Sequence, residues 1–216
     1  MDFYRRKLPH WQPKGAQYFI TFRLADSLPR QAINELRILR RQLQNSSNPF
    51  DFNRQSRFHE EVFSKYELAL DTGDTGPIWL KHPAIAKVVR EAMHYRDSNE
   101  YDLFAYCVMS NHVHIVFEHF EKRTVDSLSD STKKEYPVTV ILQELKRYTA
   151  YKSNKILGRK GAFWQSESYD RVIRDFEELE DTIAYTLNNP VKAGLAKHWS
   201  DWPHTYCKPD FIESFG

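Results

Sequence analysis

Two stretches of the chain repeat with a period of two. In Gln17–Leu24 (QYFITFRL), Tyr18, Ile20 and Phe22 fall on one side while Phe19, Thr21 and Arg23 fall on the other, as on a strand. In Tyr101–Glu118 (YDLFAYCVMSNHVHIVFE), Phe104, Tyr106 and Val108 alternate along a first strand and Ser110-Asn111 turns the chain. His112 to Phe117 then returns as a second strand rich in β-branched and aromatic residues. Elsewhere the period lengthens to that of a helix. Pro29 opens one that runs to Gln44, with Ile33, Leu36, Leu39, Arg40 and Leu43 in step. Further helices are expected over Arg54–Ala69, Pro83–Tyr95, Pro137–Leu157 and Glu177–Asn189, the last stopped by Pro190. Asn45–Asn53, Gly73–Pro77 and the polar stretch Glu121–Tyr136 read as loops, and Phe163–Ile173 as one or two short strands. The tail from Val191 to Tyr206 reads as a closing turn that packs Trp199 and Trp202.

This order of elements predicts an α+β architecture, a ferredoxin-like antiparallel sheet with helices on one face. Residues 1–216 form one domain in this reading, with a helical insertion over about 46–95. With 41% hydrophobic residues the chain can bury a core, and no apolar run approaches the roughly 20 residues that a membrane helix needs. The N-terminal MDFYRRKLPHW lacks the apolar stretch of a signal peptide. Cys107 and Cys207 form no C-x-x-C pattern, so neither a disulfide scaffold nor a zinc knuckle is implied, and a reducing, cytoplasmic compartment is the simplest inference.

A net charge of +2 does not by itself announce a nucleic-acid binder, but the cations are clustered. They gather at Arg5-Arg6-Lys7, at Arg37, Arg40 and Arg41, and over Lys146–Lys160, whereas acids gather over Asp175–Asp181. Lys146, Arg147, Lys152, Lys155, Arg159 and Lys160 crowd the outer face and C-terminal end of one helix. Cations suit a helix C-terminus for dipole reasons alone. With few compensating acids nearby, they also suit phosphate contacts.

His112 and His114, two apart on a strand, project on one face. Paired imidazoles can be a metal site, or two ordinary strand histidines. Tyr185 and Asn189, four apart, share one face of the last helix. If that face covers the histidines, the Asn189 side-chain carbonyl is a third ligand and Tyr185 stands beside the metal. Otherwise Tyr185 is a core-edge tyrosine and Asn189 a helix cap. The mixed nitrogen and oxygen shell suits Mg²⁺ or Mn²⁺, with zinc a competitor. Such an ion polarises a phosphodiester, and tyrosine is a competent covalent nucleophile.

VMSNHVHIVFE resembles the histidine–hydrophobic–histidine (HUH) motif of single-tyrosine transposases, and AYTLNNPVKAGL (184–195) resembles the helix that carries their nucleophile. LKRYTAYKSNKILGRKGAFWQSESYDRVIRD and LALDTGDTGPIWLKHPAIAKVV are similar to the REP-associated branch, which is linked to short palindromic repeats in bacterial chromosomes. The resemblance runs from about Phe3 to Tyr206. It implies the HUH endonuclease fold, His112 and His114 as metal ligands, and Tyr185 as nucleophile. Asn189 falls where relatives place a polar, metal-assisting side chain. The implied reaction cleaves single-stranded DNA beside a folded hairpin, leaves a 5′-phosphotyrosine and a free 3′-hydroxyl, and reverses for strand transfer. Ser110 stands where many relatives have proline. Tyr148, in KRYTAYK, is the alternative nucleophile, read here as packing or DNA contact. The basic helix with Arg171 and Arg174 would hold the DNA backbone, and Trp164, Tyr151 and Tyr169 would stack on unpaired bases. The implied setting is the bacterial nucleoid, with a monomer or a homodimer at work. Rival readings are a domesticated hairpin-DNA-binding protein that no longer cuts, and a ferredoxin-like RNA-binding module. A hydrolytic zinc enzyme would want H-E-x-x-H or a third histidine at suitable spacing, which the sequence lacks.

Overall fold

Both alternating stretches form strands, and they pair with each other. The computed structural model describes residues 3–5, 9–11, 15–44, 52–71, 76–120 and 137–215. Two short strands, β1 (Phe3–Arg5) and β2 (Pro9–Trp11), form a separate antiparallel ribbon. The main sheet contains β3 (Gln17–Arg23), β4 (Tyr101–Val108), β5 (His112–His119), β6 (Tyr169–Val172) and β7 (Thr205–Cys207). It is antiparallel with order β6-β3-β5-β4-β7, so the histidine strand β5 is the central one. The tail thus adds an edge strand beyond the closing turn expected from sequence.

The α+β class and antiparallel sheet are as the pattern predicts. Helices, however, cover both faces. On one face Tyr18, Ile20, Phe22, Val113, Ile115 and Phe117 pack against α3 (Pro83–His94) and α4 (Pro137–Ile156). On the other, Phe19, Ala105 and Val116 pack against Leu179, Ile183 and Leu187 of α5 (Phe176–Lys192). The single-face expectation fails because Phe19 and Val116 make the second side apolar as well, and that surface also has to leave water. A bulge in β4 between Leu103 and Ala105 adds a correction. It turns Phe104 onto the α5 side, while Tyr106 and Val108 keep to the side of α3 and α4.

Helix α5 begins at an Asp175 N-cap. Asp175 Oδ1 accepts from the Glu178 amide at 2.9 Å, and Glu178 Oε2 accepts from the Arg174 amide at 2.9 Å. Pro190 does not end the helix, which continues to Lys192. In the last turn proline forfeits only one backbone bond, and its own carbonyl accepts from Leu195 at 2.8 Å. Asn189 is therefore inside the helix, and Ala193 is the C-cap.

Between β3 and β4 come α1 (Arg30–Gln44), α2 (Phe52–Asp71) and a short 3₁₀ turn at Trp79–Lys81. Leu28, Leu36, Val62 and Leu70 give α1 and α2 a small core of their own. The two ends of this excursion meet at Gly76. Its φ is +84°, and a Cβ there would collide with the Asp26 carbonyl and lie 2.9 Å from the Ser27 Cα. The loops read over Asn45–Asn53 (up to residue 51) and over Glu121–Tyr136 lie outside the described residues, as do Gly73, Arg6, Lys7 and the side chains of Arg5, Arg40 and Arg41.

Candidate active site

His112 and His114 sit side by side at the start of β5, facing α5 and fully buried. Each is oriented through Nδ1. His112 Nδ1 lies 2.6 Å from Asn111 Oδ1, and His114 Nδ1 lies 2.8 Å from Thr21 Oγ1, the residue paired with it on β3. Asn111 donates its own amide to the Leu70 carbonyl at 3.1 Å, so its Oδ1 is the atom that takes the His112 Nδ1–H. Both Nε2 atoms then turn to one point, 3.0 Å apart. Imidazoles held from behind by oxygen partners, with the second nitrogens converging, are built as metal-binding histidines are. Burial, followed by the neighbouring His114, pushes His112 down to about 3, so it is a neutral lone-pair donor at physiological pH.

The third group at that point is Glu67 of α2. Its Oε2 is 3.1 Å from His114 Nε2 and accepts the Tyr185 hydroxyl at 2.7 Å. One ligand atom from each of Glu67, His112 and His114 falls within 4.8 Å of the others, making a buried group fit for a metal ion. Burial raises the Glu67 pKa, but His114 and His112 and the hydrogen bonds from His114 and Tyr185 outweigh it. The net direction is down, to the carboxylate. The same neighbourhood raises Tyr185, by burial first and by the Glu67 charge second, so its proton stays on. Asp71, one turn further along α2, is pushed up to about 6 by burial and then by Glu67.

Tyr185 reaches the histidines within a single chain. Its ring stands 5.8 Å from that of His114 and 5.9 Å from Phe19, and the Lys192 ammonium lies 4.4 Å over it. Asn189 is fully buried beneath it. Its amide nitrogen donates to the Tyr185 carbonyl at 3.0 Å, and its Oδ1 has no hydrogen-bond partner. From Tyr185 a cleft of about 470 Å³ opens outward, lined by Phe19, Phe63, Arg171, Arg174, Glu178 and Asp181 among others. Tyr148, the other tyrosine singled out by sequence, is half exposed on α4, across the sheet from this site.

The basic residues divide. Arg147, Lys152, Lys155 and Lys160 are exposed, and Tyr151 is 67% exposed among them. Lys146 has a different task. Its ammonium donates to the Gln165 and Ser166 carbonyls and, at 2.6 Å, to Ser168 Oγ, clamping the segment that leads into β6. Arg159 lies 4.1 Å over the Trp79 ring and bonds Asn154 Oδ1 at 2.7 Å. Trp164 is core, edge-on to Phe22, with its indole N–H on Thr149 Oγ1 at 2.8 Å. Tyr169 stacks on Phe63 at 4.5 Å. Arg171 and Arg174 both bridge Glu178, each at 2.8 Å.

Glu67 is the residue that sequence reasoning missed. A signal exists: Phe63, Glu67 and Asp71 recur every four residues, placing carboxylates on a stripe that begins with a buried-side aromatic.

No protein-family model matches the chain. Among curated proteins, a REP-associated tyrosine transposase of Haemophilus influenzae is 24% identical over 106 residues, 49% of this chain. The chain spans 58% of that relative's length. Among solved structures, a REP-associated tyrosine transposase bound to a REP hairpin matches the whole chain and 88% of its own, with a TM-score of 0.50 and 17% identity. The chain is thus similar in sequence to a REP-associated tyrosine transposase and shares the fold of another. No helix among the described residues is long and apolar enough to cross a membrane.

Proposed function

We propose that this chain is a metal-dependent tyrosine nuclease and strand transferase acting on single-stranded DNA beside a REP-type hairpin. One observation carries the reading: the Tyr185 hydroxyl and His114 Nε2 meet on the same carboxylate oxygen, at 2.7 and 3.1 Å. A phenol beside a converging pair of buried imidazoles is what a metal-assisted phosphotyrosyl reaction needs.

His112 and His114 would hold the ion through Nε2, and Asn189, with its unpartnered Oδ1, would be a further oxygen donor. When bound, Mg²⁺ or Mn²⁺ supplies Lewis-acid polarisation of the scissile phosphate. The chain's own residues do the rest. Thr21 and Asn111 orient the two imidazoles through Nδ1, and α5 would bring the Tyr185 oxygen to the scissile phosphate. The new bond joins that oxygen to phosphorus, and the bond to the 3′-oxygen breaks. The hydroxyl gives up one proton and the departing 3′-oxygen takes one, so the step is proton-neutral overall. Reversal with a second 3′-hydroxyl joins strands. Exposed Arg147, Lys152, Lys155 and Lys160, with Tyr151, contact the hairpin on the α4 side. Histidines and tyrosine meet in one chain, so a monomer suffices, and residues 1–216 act as one domain in the bacterial nucleoid.

The second reading, a hairpin-binding protein that no longer cuts, draws on the full burial of His112, His114 and Asn189. End-labelled hairpin oligonucleotides incubated with Mn²⁺ decide between them. The expected result is an SDS-stable protein–DNA adduct, reduced at least a thousandfold in Tyr185→Phe and unchanged in Tyr148→Phe. Loss in Tyr148→Phe alone moves the nucleophile to α4. Tight binding with no adduct under Mn²⁺ or Mg²⁺ supports the binder.

A further inference from the structure

We infer that Glu67 is a catalytic residue of this site, supplied by the α1–α2 excursion, which ligates the divalent cation and holds the Tyr185 hydroxyl. The inference rests on the tyrosine-nuclease reading above and adds a residue from a different part of the chain.

The first ground is how firmly α2 is placed. On one side of Glu67, Phe63 is wedged among three aromatic rings: Tyr169 at 4.5 Å, Phe19 at 5.5 Å and Tyr185 at 6.0 Å. On the other side, the Leu70 carbonyl accepts from Asn111, the residue that orients His112. The segment between these anchors has no freedom to swing Glu67 away without breaking one of them.

The second ground is the electrostatic demand. The Glu67 side chain is 6% exposed, and a buried carboxylate is tolerated only with compensating partners. Oε2 has two, the Tyr185 hydroxyl and His114 Nε2, whereas Oε1 is buried with none. The two Nε2 atoms 3.0 Å apart present lone pairs to each other unless one bears a proton. An orphaned carboxylate oxygen next to two converging imidazole nitrogens asks for a cation, and one divalent ion satisfies all three groups. Two imidazole nitrogens and one carboxylate would leave positions open for a phosphate oxygen.

The third ground is the link to the nucleophile. A carboxylate that ligates the ion and accepts the phenol O–H fixes the distance from nucleophile to metal. Asn189 also reaches Tyr185, its amide nitrogen donating to the Tyr185 backbone carbonyl at 3.0 Å, but it is neutral and brings no charge to the ion.

The test uses the full chain. Mn²⁺ binding is measured by calorimetry on wild type, Glu67→Gln, Glu67→Asp and Glu67→Ala, alongside adduct formation on hairpin oligonucleotides at saturating Mn²⁺. Glu67→Gln is expected to weaken Mn²⁺ at least tenfold, and its adduct rate at saturation to exceed that of Glu67→Ala, because the amide oxygen still accepts the phenol O–H. A Mn²⁺-soaked crystal of wild type reads the ligand set without any substitution, should the variants fail to fold. Wild-type Mn²⁺ affinity in both Glu67→Gln and Glu67→Asp, or an ion with Glu67 outside its ligand shell, overturns the proposal. An adduct that needs Tyr185 and ignores Glu67 sinks this inference and leaves the nuclease reading standing. Mn²⁺ held by Glu67 with no adduct on any hairpin does the reverse.

Discussion

The two faces of the sheet obey different rules. Toward α3 and α4 the central strands present Tyr18, Ile20, Phe22, Val113, Ile115 and Phe117. Polar atoms there include the Tyr101 hydroxyl, donating to the Met93 carbonyl at 2.7 Å, and the Trp164 indole, donating to Thr149 Oγ1 at 2.8 Å. Toward α5 and α2 the same strands present Thr21, Arg23, His112 and His114, all buried, and meet Glu67 and Asn189, also buried. One face is a hydrophobic anchor. The other combines the apolar seat of α5 with six buried polar side chains, so the two environments differ at a spacing of one residue along each strand.

That contrast can be broken from either side. Ile115→Ala on the anchoring face removes a fully buried side chain and is expected to destabilise by about 3 kcal/mol in denaturant melts. The Mn²⁺ affinity of the protein still folded should stay the same, and a parallel loss of both would mean that the faces are not independent. Acid probes the other side. His112 is held at about 3 when folded and titrates near its ordinary value of about 6.5 when unfolded. Between those values the unfolded chain binds the extra proton, so stability falls as pH falls. The loss at pH 5 is on the order of 2 kcal/mol. Glu67, lowered on folding, works in the same direction further down. Thermal melts at a series of pH values should show the acid limb flattened in His112→Gln. The smallest stability effect belongs to Lys152→Ala with Lys155→Ala on the solvent side of α4, within about 0.5 kcal/mol. Their effect should appear in DNA binding, as a salt slope shallower by about 1.8 for two phosphate contacts on the paired stem of the hairpin.

Much of this was legible in the sequence, because period-two alternation puts His112 with His114, and a four-residue step puts Tyr185 with Asn189, before any fold is known. What could not be read depended on contacts distant along the chain. Glu67 lies 118 residues from Tyr185, and a glutamate on a helix reads as a solvated charge until the opposing strand is seen. The partners of Lys146 and Trp164 were hidden for a related reason. A cation and an aromatic near a turn look available, yet carbonyls 19 and 20 residues downstream claim the first, and Phe22 and Thr149 claim the second. The bulge at Phe104 is a further limit, since one extra residue reverses the facing without altering the alternation before or after it.

The neck of the α1–α2 excursion carries a consequence for modularity. Gly76 is packed so closely on Asp26 that a side chain would not fit, so the chain departs from and rejoins the sheet scaffold at almost one place. A segment that begins and ends at the same point can be shortened without the scaffold having to stretch. Cutting it out at that neck would keep both histidines and the tyrosine helix, and would remove the Glu67 carboxylate and the Asn111–Leu70 tether together.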